Sequence, residues 1–155
     1  MKLFNASPGF GQQMTLEETQ RFLISDVRNI YLGTLDDKSE PNIHPVWFYY
    51  DNQKNKIYVE TAKSSKKIQN LNQKNVIYFC IDDSTPPYKG VRGKGKTKIS
   101  TDNDFNYFIA EKIMIKYLGN LDHPMASVLL ENVRKGQSVL IEISPKYFST
   151  WNYGK

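Results

Sequence analysis

The stretch Thr61-Ala62-Lys63-Ser64-Ser65-Lys66-Lys67 carries the densest set of groups able to hold an anion. It leads from strand-type sequence, Ile57-Tyr58-Val59-Glu60, into helix-type sequence with Ile68 and Leu71 on one face. Ser64 or Ser65 suits the helix N-cap, where a hydroxyl accepts from an otherwise orphaned amide. Lysines at the next two positions oppose the partial positive charge of a helix N-terminus. Each costs about 0.3–1 kcal/mol unless an anion offsets it. Free amides, hydroxyls and ammonium groups converging on one point make a phosphate cradle. A plain surface helix, its lysines extended into salt-screened water, accounts for the local segment equally well.

The other reactive residue types lead to less. His44, between Ile43 and Pro45, reads as a polar position at a barrel mouth, and His123 beside Pro124 as the start of a helix. Gly90-Val91-Arg92-Gly93-Lys94-Gly95 lacks the spacing and the following helix of a dinucleotide fingerprint. Cys80 lies in an apolar run and reads as core, and Asp82-Asp83 as a strand-ending turn. One cysteine and two histidines are too few soft ligands for a structural zinc, and no metal site is expected. No hydrolytic triad can be assembled, so the catalytic residues stay unknown.

The elements that position these residues follow from pattern. Thr15-Leu16-Glu17-Glu18 has capping-box spacing and opens a helix to about Asp26; residues 1–14, with Pro8, Gly9 and Gly11, read as a loose N-terminal arm. Strands are expected over Asn29 to Leu35, Ile43 to Tyr50 and Lys56 to Thr61, joined by polar turns, then a short helix from Ser65 to Asn72. Val76 to Ile81 is apolar throughout and reads as a central strand. In Tyr88 to Ser100, Arg92, Lys94, Lys96 and Lys98 alternate with Val91, Gly93, Gly95, Thr97 and Ile99, which puts the cations on one face. Helices follow from Asp104 to Leu118 and from Pro124 to about Gly136, the second with Met125, Val128, Leu129 and Val133 inward. Ser138 to Ile143 and Tyr147 to Trp151 read as the last two strands.

The 155 residues suit one domain spanning 1–155. Apolar residues are 39%, charged 24% and aromatic 13%, which excludes the disordered class. With mean hydropathy −0.56, no apolar run is long enough for a spanning helix. A lone cysteine fits a reducing compartment, and a cytoplasmic protein is expected. Short connections between strands exclude a parallel sheet with helical crossovers and favour an α+β, mainly β, antiparallel barrel with peripheral helices.

Taken in order, His44-Pro45-Val46-Trp47-Phe48, the hairpin, Ile57 to Thr61, Ser65-Lys66-Lys67 with Asn70-Leu71, Val91-x-Gly93-x-Gly95, and Pro145 to Trp151 resemble the FMN-binding split barrel of the pyridoxamine 5'-phosphate oxidase superfamily. The resemblance covers about residues 15–151. It implies a six-stranded Greek-key split barrel that forms a homodimer with FMN at the subunit interface. By that resemblance His44, Pro45, Val46 and Trp47 lie against the flavin ring, Glu60 and Thr61 meet the cofactor at the next strand's end, and Ser65, Lys66 and Lys67 hold its phosphate. Trp151 matches a tryptophan brought by the other subunit. The family supplies the anion that the helix-start lysines require, and this favours the cradle over the plain helix. A true oxidase of this family continues beyond its tryptophan with substrate-binding Arg and His, whereas only Asn152 to Lys155 follow here.

The expected function is therefore a flavin-dependent oxidoreductase that is not the true oxidase. The alternatives are a deazaflavin-coenzyme-binding reductase or a non-catalytic flavin carrier of the same fold. A net charge of +5 and the Arg92-Lys94-Lys96-Lys98 face leave a nucleic-acid-binding barrel as a further alternative. An exposed strand kept soluble by lysines explains that face better, and no membrane partner is expected.

Overall fold

The computed structural model describes residues 1–155. The chain runs β1 (Lys2–Asn5), α1 (Leu16–Ile24), β2 (Ile30–Leu35), β3 (Pro41–Val46), β4 (Tyr49–Asp51) and β5 (Lys56–Ala62). It continues through α2 (Lys66–Gln73), β6 (Val76–Asp83), β7 (Lys89–Ser100), α3 (Asn103–Leu118), α4 (Pro124–Arg134) and β8 (Ser138–Asn152). The capping box of α1 forms as its spacing predicts: Glu18 N donates to Thr15 Oγ1 at 3.2 Å and Thr15 N to Glu18 Oε2 at 2.7 Å.

One sheet runs in the order β3-β2-β6-β7-β8-β5-β4, with neighbours antiparallel. Its two ends, β3 and β4, are consecutive in the chain and separated only by Trp47 and Phe48. The sheet therefore curls until a two-residue corner, and not a hydrogen-bonded ladder, joins its ends. That is a split barrel. The single strand expected over Ile43 to Tyr50 is bent into β3 and β4; counted as one, the barrel has the six strands expected of it.

Three expectations need correction. The N-terminal segment is not loose throughout, because β1 pairs in parallel with Tyr147–Thr150 of β8 and Gln12 bridges Asn152. Four residues with one alternation carry too little pattern to announce a strand. The last two strands are one 15-residue strand. Lys94 pairs with Tyr147 but Gly95 with Pro145, so Lys146 bulges out where Pro145 has no N–H to give. In α4 the buried residues are Ala126, Leu130 and Val133, while Met125 and Val128 are exposed. The small Ala126 faces the neighbouring structure, which rotates the helix away from the stripe its larger residues suggest.

Two apolar clusters hold the fold. The first fills the barrel, with Leu32, Ile57, Phe79 and Phe148 from the sheet, Leu23 from α1 and Leu71 from α2. The second lies between the outer face of β5–β8, through Tyr58 and Leu140, and the α3–α4 pair, through Ile109, Ile113 and Leu130. The cation face of β7 is as expected: Arg92, Lys96 and Lys98 are exposed, and Val91, Gly93, Gly95 and Thr97 are buried. Cys80, expected in the core, is only half-buried and lies on the outer face of β6. β6 is internal to the sheet, yet the wall of a barrel has one interior face, so its apolar run does not mean burial on both sides. No helix is long and apolar enough to cross a membrane.

Gly93 shows how tightly the wall is built. A Cβ there would lie 2.5 Å from the Tyr147 carbonyl oxygen and 2.6 Å from Phe79 Cζ. Gly93→Ala is expected to lower the unfolding free energy by about 1–3 kcal/mol, the usual range for overpacking. Urea denaturation checks this, and an unchanged midpoint would contradict the packing described.

Candidate functional site

The cradle segment folds as its residue types require. Ser65 is the N-cap of α2, in extended conformation (φ −67°, ψ 154°), and its Oγ accepts from Ile68 N at 3.5 Å. Thr61 Oγ1, at the end of β5, donates to Ser65 Oγ at 3.5 Å. The first turn of α2 contains no acidic residue, and neither Lys66 nor Lys67 is in an ion pair. Lys66 is exposed, but Lys67 is half-buried. Burial pulls the Lys67 ammonium below its ordinary pKa, with the Glu60 charge opposing only in part. A half-buried cation at the positive end of a helix dipole, with no anion in contact, is an incomplete electrostatic arrangement.

A buried polar chain locks α2 to the β2–β3 hairpin. Asn70 Nδ2 donates to Thr34 Oγ1 at 2.9 Å and to Asn42 Oδ1 at 3.1 Å. Thr34 Oγ1 is in turn 3.0 Å from His44 Nε2. The Thr34 hydroxyl thus links the Asn70 amide to the His44 imidazole. Burial, and then the charge of Lys67, hold this imidazole below its usual pKa. Across the split, burial pushes the Glu60 carboxyl above its ordinary range against a hydrogen bond from Ser138 and the pull of Lys67. His44, Glu60 and Lys67 thus come from three elements and share one electrostatic neighbourhood.

The corner between β3 and β4 forms the rest of the site. Trp47 stacks on Tyr117 of α3, with centroids 4.8 Å apart and planes within 10°. Tyr117 Oη accepts from Phe48 N at 3.2 Å and donates to the Arg28 carbonyl at 2.5 Å. Lys116 Nζ reaches the carbonyls of Phe48 and Leu23, each at 3.5 Å, and sits 3.8 Å from the Phe48 ring centroid. Half-buried there, its ammonium is brought down to about 8 by desolvation, with a smaller push from Arg28. Beside the corner is a cavity of about 340 Å³ lined by Pro45, Val46, Trp47 and Glu60, with Asn29, Ile113 and Met114. β3 is hydrogen-bonded to β2 alone, and its Pro41 and Pro45 suit a strand with one open edge.

Of the ten residues singled out in the sequence, nine gather around the split: His44, Pro45, Val46, Trp47, Glu60, Thr61, Ser65, Lys66 and Lys67. Trp151 does not. It lies on β8 opposite Gly90, with its ring over that glycine, where any Cβ would collide with it. Glu60 pairs with Leu140 of the same strand. Eleven residues on, Trp151 stands near the other end of β8. Sequence reasoning assigned no role to Thr34, Asn42, Tyr117 or Ser138. The one available signal was Asn70, a polar residue between Ile68 and Leu71 on an otherwise inward stripe.

Tyr117→Phe keeps the stack on Trp47 but strips Phe48 N–H and the Arg28 carbonyl of their partner. Stability is expected to fall by about 1–3 kcal/mol, the range for partly buried backbone groups left unpaired. Denaturant unfolding measures this, and hydrogen exchange at the Phe48 amide is expected to speed up by a comparable factor.

Comparison with known proteins agrees with this geometry. The family model described as pyridoxamine 5'-phosphate oxidase matches residues 16–152. Among curated proteins no sequence matches. Among solved structures, protein Rv2991 from Mycobacterium tuberculosis is similar at a TM-score of 0.79 and 18% identity, over 96% of this chain and 91% of that one. An F420 reductase is similar at a TM-score of 0.66 and 22% identity, over 83% and 94%. An FAD-binding protein from Mesorhizobium loti is similar at 0.61 and 17%, over 90% and 95%. Identities this low speak for a shared fold, whereas the family match spans nearly every element from α1 to β8. The chain belongs to the pyridoxamine 5'-phosphate oxidase family, on the split-barrel fold.

Proposed function

We propose that this protein binds FMN by its phosphate at the start of α2 and works as a flavin-dependent oxidoreductase. The observation that carries this reading is the pair Lys66–Lys67 at a helix N-terminus, one of them half-buried and neither in an ion pair, with Glu60 offsetting the Lys67 charge only in part. A phosphate there restores the missing charge and meets the hydroxyls of Ser65 and Thr61. The open edge of β3 offers backbone groups to the polar rim of a flat heterocycle, and Pro45, Val46 and Trp47 give it an apolar bed.

A bound flavin supplies hydride or electron transfer, and the protein's part is to hold and tune it. Thr34 and Asn70 hold His44 beside the bed, where burial and the Lys67 charge keep its pKa below the usual value. Glu60 holds a carboxyl in the cavity wall, pushed above its ordinary range by burial. The F420 reductase and the FAD-binding protein among the similar structures support a flavin or deazaflavin ligand. The absorbance spectrum of the bound chromophore separates the two. Reduction of bound FMN by NADH or NADPH separates an enzyme from a carrier. A lone, half-buried thiol suits a cytoplasmic setting.

Lys66→Glu with Lys67→Glu removes two charge-assisted contacts worth about 1.5–3 kcal/mol each. FMN affinity is expected to fall by about two orders of magnitude or more, with the circular dichroism spectrum unchanged. Unaltered affinity by equilibrium titration would defeat the cradle.

A homodimer completes this reading. Trp151, near the opposite end of β8 from Leu140, the partner of Glu60, matches the tryptophan that a second copy brings in the family. The outer face of the sheet beside β3 supports one: Phe4, Tyr31, Ile43 and Tyr78 are exposed there around a groove of about 850 Å³. Arg92 also lines this groove, and Lys94 lies 5.3 Å from the Tyr78 ring centroid. A carpet of large apolar side chains on a sheet face marks an interaction surface. Ile43→Glu with Tyr78→Glu is expected to yield a monomer by sedimentation and to weaken FMN binding with it. A variant that stays dimeric would place the interface elsewhere, and retention of the wild-type protein on heparin would favour nucleic acid on this face.

A further inference from the structure

A small cavity of about 280 Å³ lies where α3 meets α1 and β4, and it shares no lining residue with the cavity beside Trp47. Leu23 and Ile24 of α1, Tyr49 of β4 and Ile115 of α3 give it an apolar wall. Its only charged lining residues are Lys112 and Lys116, so two ammonium-bearing side chains and no carboxylate border it. At its mouth Ile24 and Ile115 are 51% and 50% exposed, an apolar rim that the chain itself leaves uncovered.

Neither lysine is in an ion pair. Lys116 Nζ spends two of its three donors on the Leu23 and Phe48 carbonyls, which leaves one N–H without a protein partner. Asp26, the carboxylate whose charge reaches Lys116, is held by Arg28 at 2.7 Å, and Arg28 adds its own positive field. Lys112 stands one turn earlier on α3, its ammonium 4.7 Å from the Phe108 ring centroid and 5.6 Å from that of Tyr49. Rings attract a cation but supply no net counter-charge. Like charges at i, i+4 spacing repel and work against the helix that carries them. A solvated pair would escape most of this repulsion, but both lysines are half-buried.

We propose that this cavity binds a small apolar monocarboxylate, its carboxylate between Lys112 and Lys116 and its hydrocarbon part against Leu23, Ile24 and Ile115. A carboxylate has two oxygens to divide between two ammonium groups, and it offsets the charge that the chain leaves without a partner. The apolar wall favours a hydrocarbon body over a wholly polar anion. The volume falls just below the range of about 300–1,000 Å³ that holds drug-sized ligands, which limits the guest to a short chain or a single ring. No lining residue belongs to the phosphate cradle or to the exposed sheet face around Ile43 and Tyr78, so the site stands apart from both.

Isothermal titration of the full chain with octanoate, octanamide and acetate tests the site. Octanoate is expected to bind with a dissociation constant of about 0.1 mM. Octanamide keeps the hydrocarbon and lacks the charge, while acetate keeps the charge and lacks the hydrocarbon. Each is expected to bind at least about tenfold more weakly. Lys112→Glu sets a carboxylate of the chain's own beside Lys116, at a position with no hydrogen bond or ion pair to lose. It is expected to weaken octanoate by about tenfold or more with the circular dichroism spectrum unchanged. Octanamide or acetate binding as tightly as octanoate, no saturation by octanoate at about 10 mM, or an unaltered affinity in the folded variant would each overturn the site. The three probes decide the matter on the wild-type protein even where the variant does not fold. None of these titrations involves flavin, so failure of the phosphate cradle leaves their result standing.

Discussion

Everything at this site depends on two backbone groups at the barrel's corner. Where β3 gives way to β4, Phe48 leaves one ladder before it has joined the next. A part-buried N–H and C=O left there without partners would each forfeit a hydrogen bond's worth of free energy. Consecutive residues of α3 take them up: Tyr117 accepts from the N–H, and Lys116 reaches the carbonyl. Because side chains of a helix serve these groups, the sheet does not need to close on itself. β3 therefore keeps an open edge on one side of the split, and Glu60 and Thr61 stand on the other. The cleft follows from how the corner is satisfied, and the helix pair against the outer sheet provides the support.

The charge arrangement depends on a second lock of the same kind. Two lysines at a helix N-terminus would be an ordinary solvated nuisance if the helix could roll. The Asn70–Thr34–Asn42 contacts hold α2 against the hairpin, while Ile68 and Leu71 anchor it in the barrel core. Lys67 is thus kept half-buried near Glu60 and His44 instead of swinging into water. The cost of that placement is already met by barrel packing before any ligand arrives. Such preorganisation is what allows an anion to gain the full interaction on binding.

Much of this was legible in the sequence because it is written in local pattern. The Thr15 capping box, the alternation of cations and glycines in β7, the stop at Gly119 and the Ser65 cap each involve residues within a few positions of one another. The nine residues that lie around the split were named in sequence order through the family resemblance. What was missed has a different physical origin. Tyr117 acts on Phe48 from 69 residues away, and nothing in its helical stripe distinguishes a tyrosine that holds a corner from one that fills a core. The Cys80 run is apolar because it lies in a barrel wall whose outer face is also apolar, a situation that mimics burial on both sides. β1 exists only through its pairing with β8, and four residues carry no such information.

The distribution of strength across the barrel explains why the cleft lies where it does. β7 and β8 pair over twelve residues of β7, and their inner faces carry Val91, Phe148 and the glycines that let the strands approach. β4 contributes three residues to the sheet, and β3 pairs on one edge only. Local stability follows the density of buried contacts and shared hydrogen bonds, so the corner region is the part of the wall most able to adjust. The site proposed above draws on β3, β5 and the start of α2, where an edge strand can shift without breaking a second ladder. The fold therefore puts a strand paired along one edge beside the lysines that open α2, and Tyr117 and Lys116 hold the corner where that strand ends.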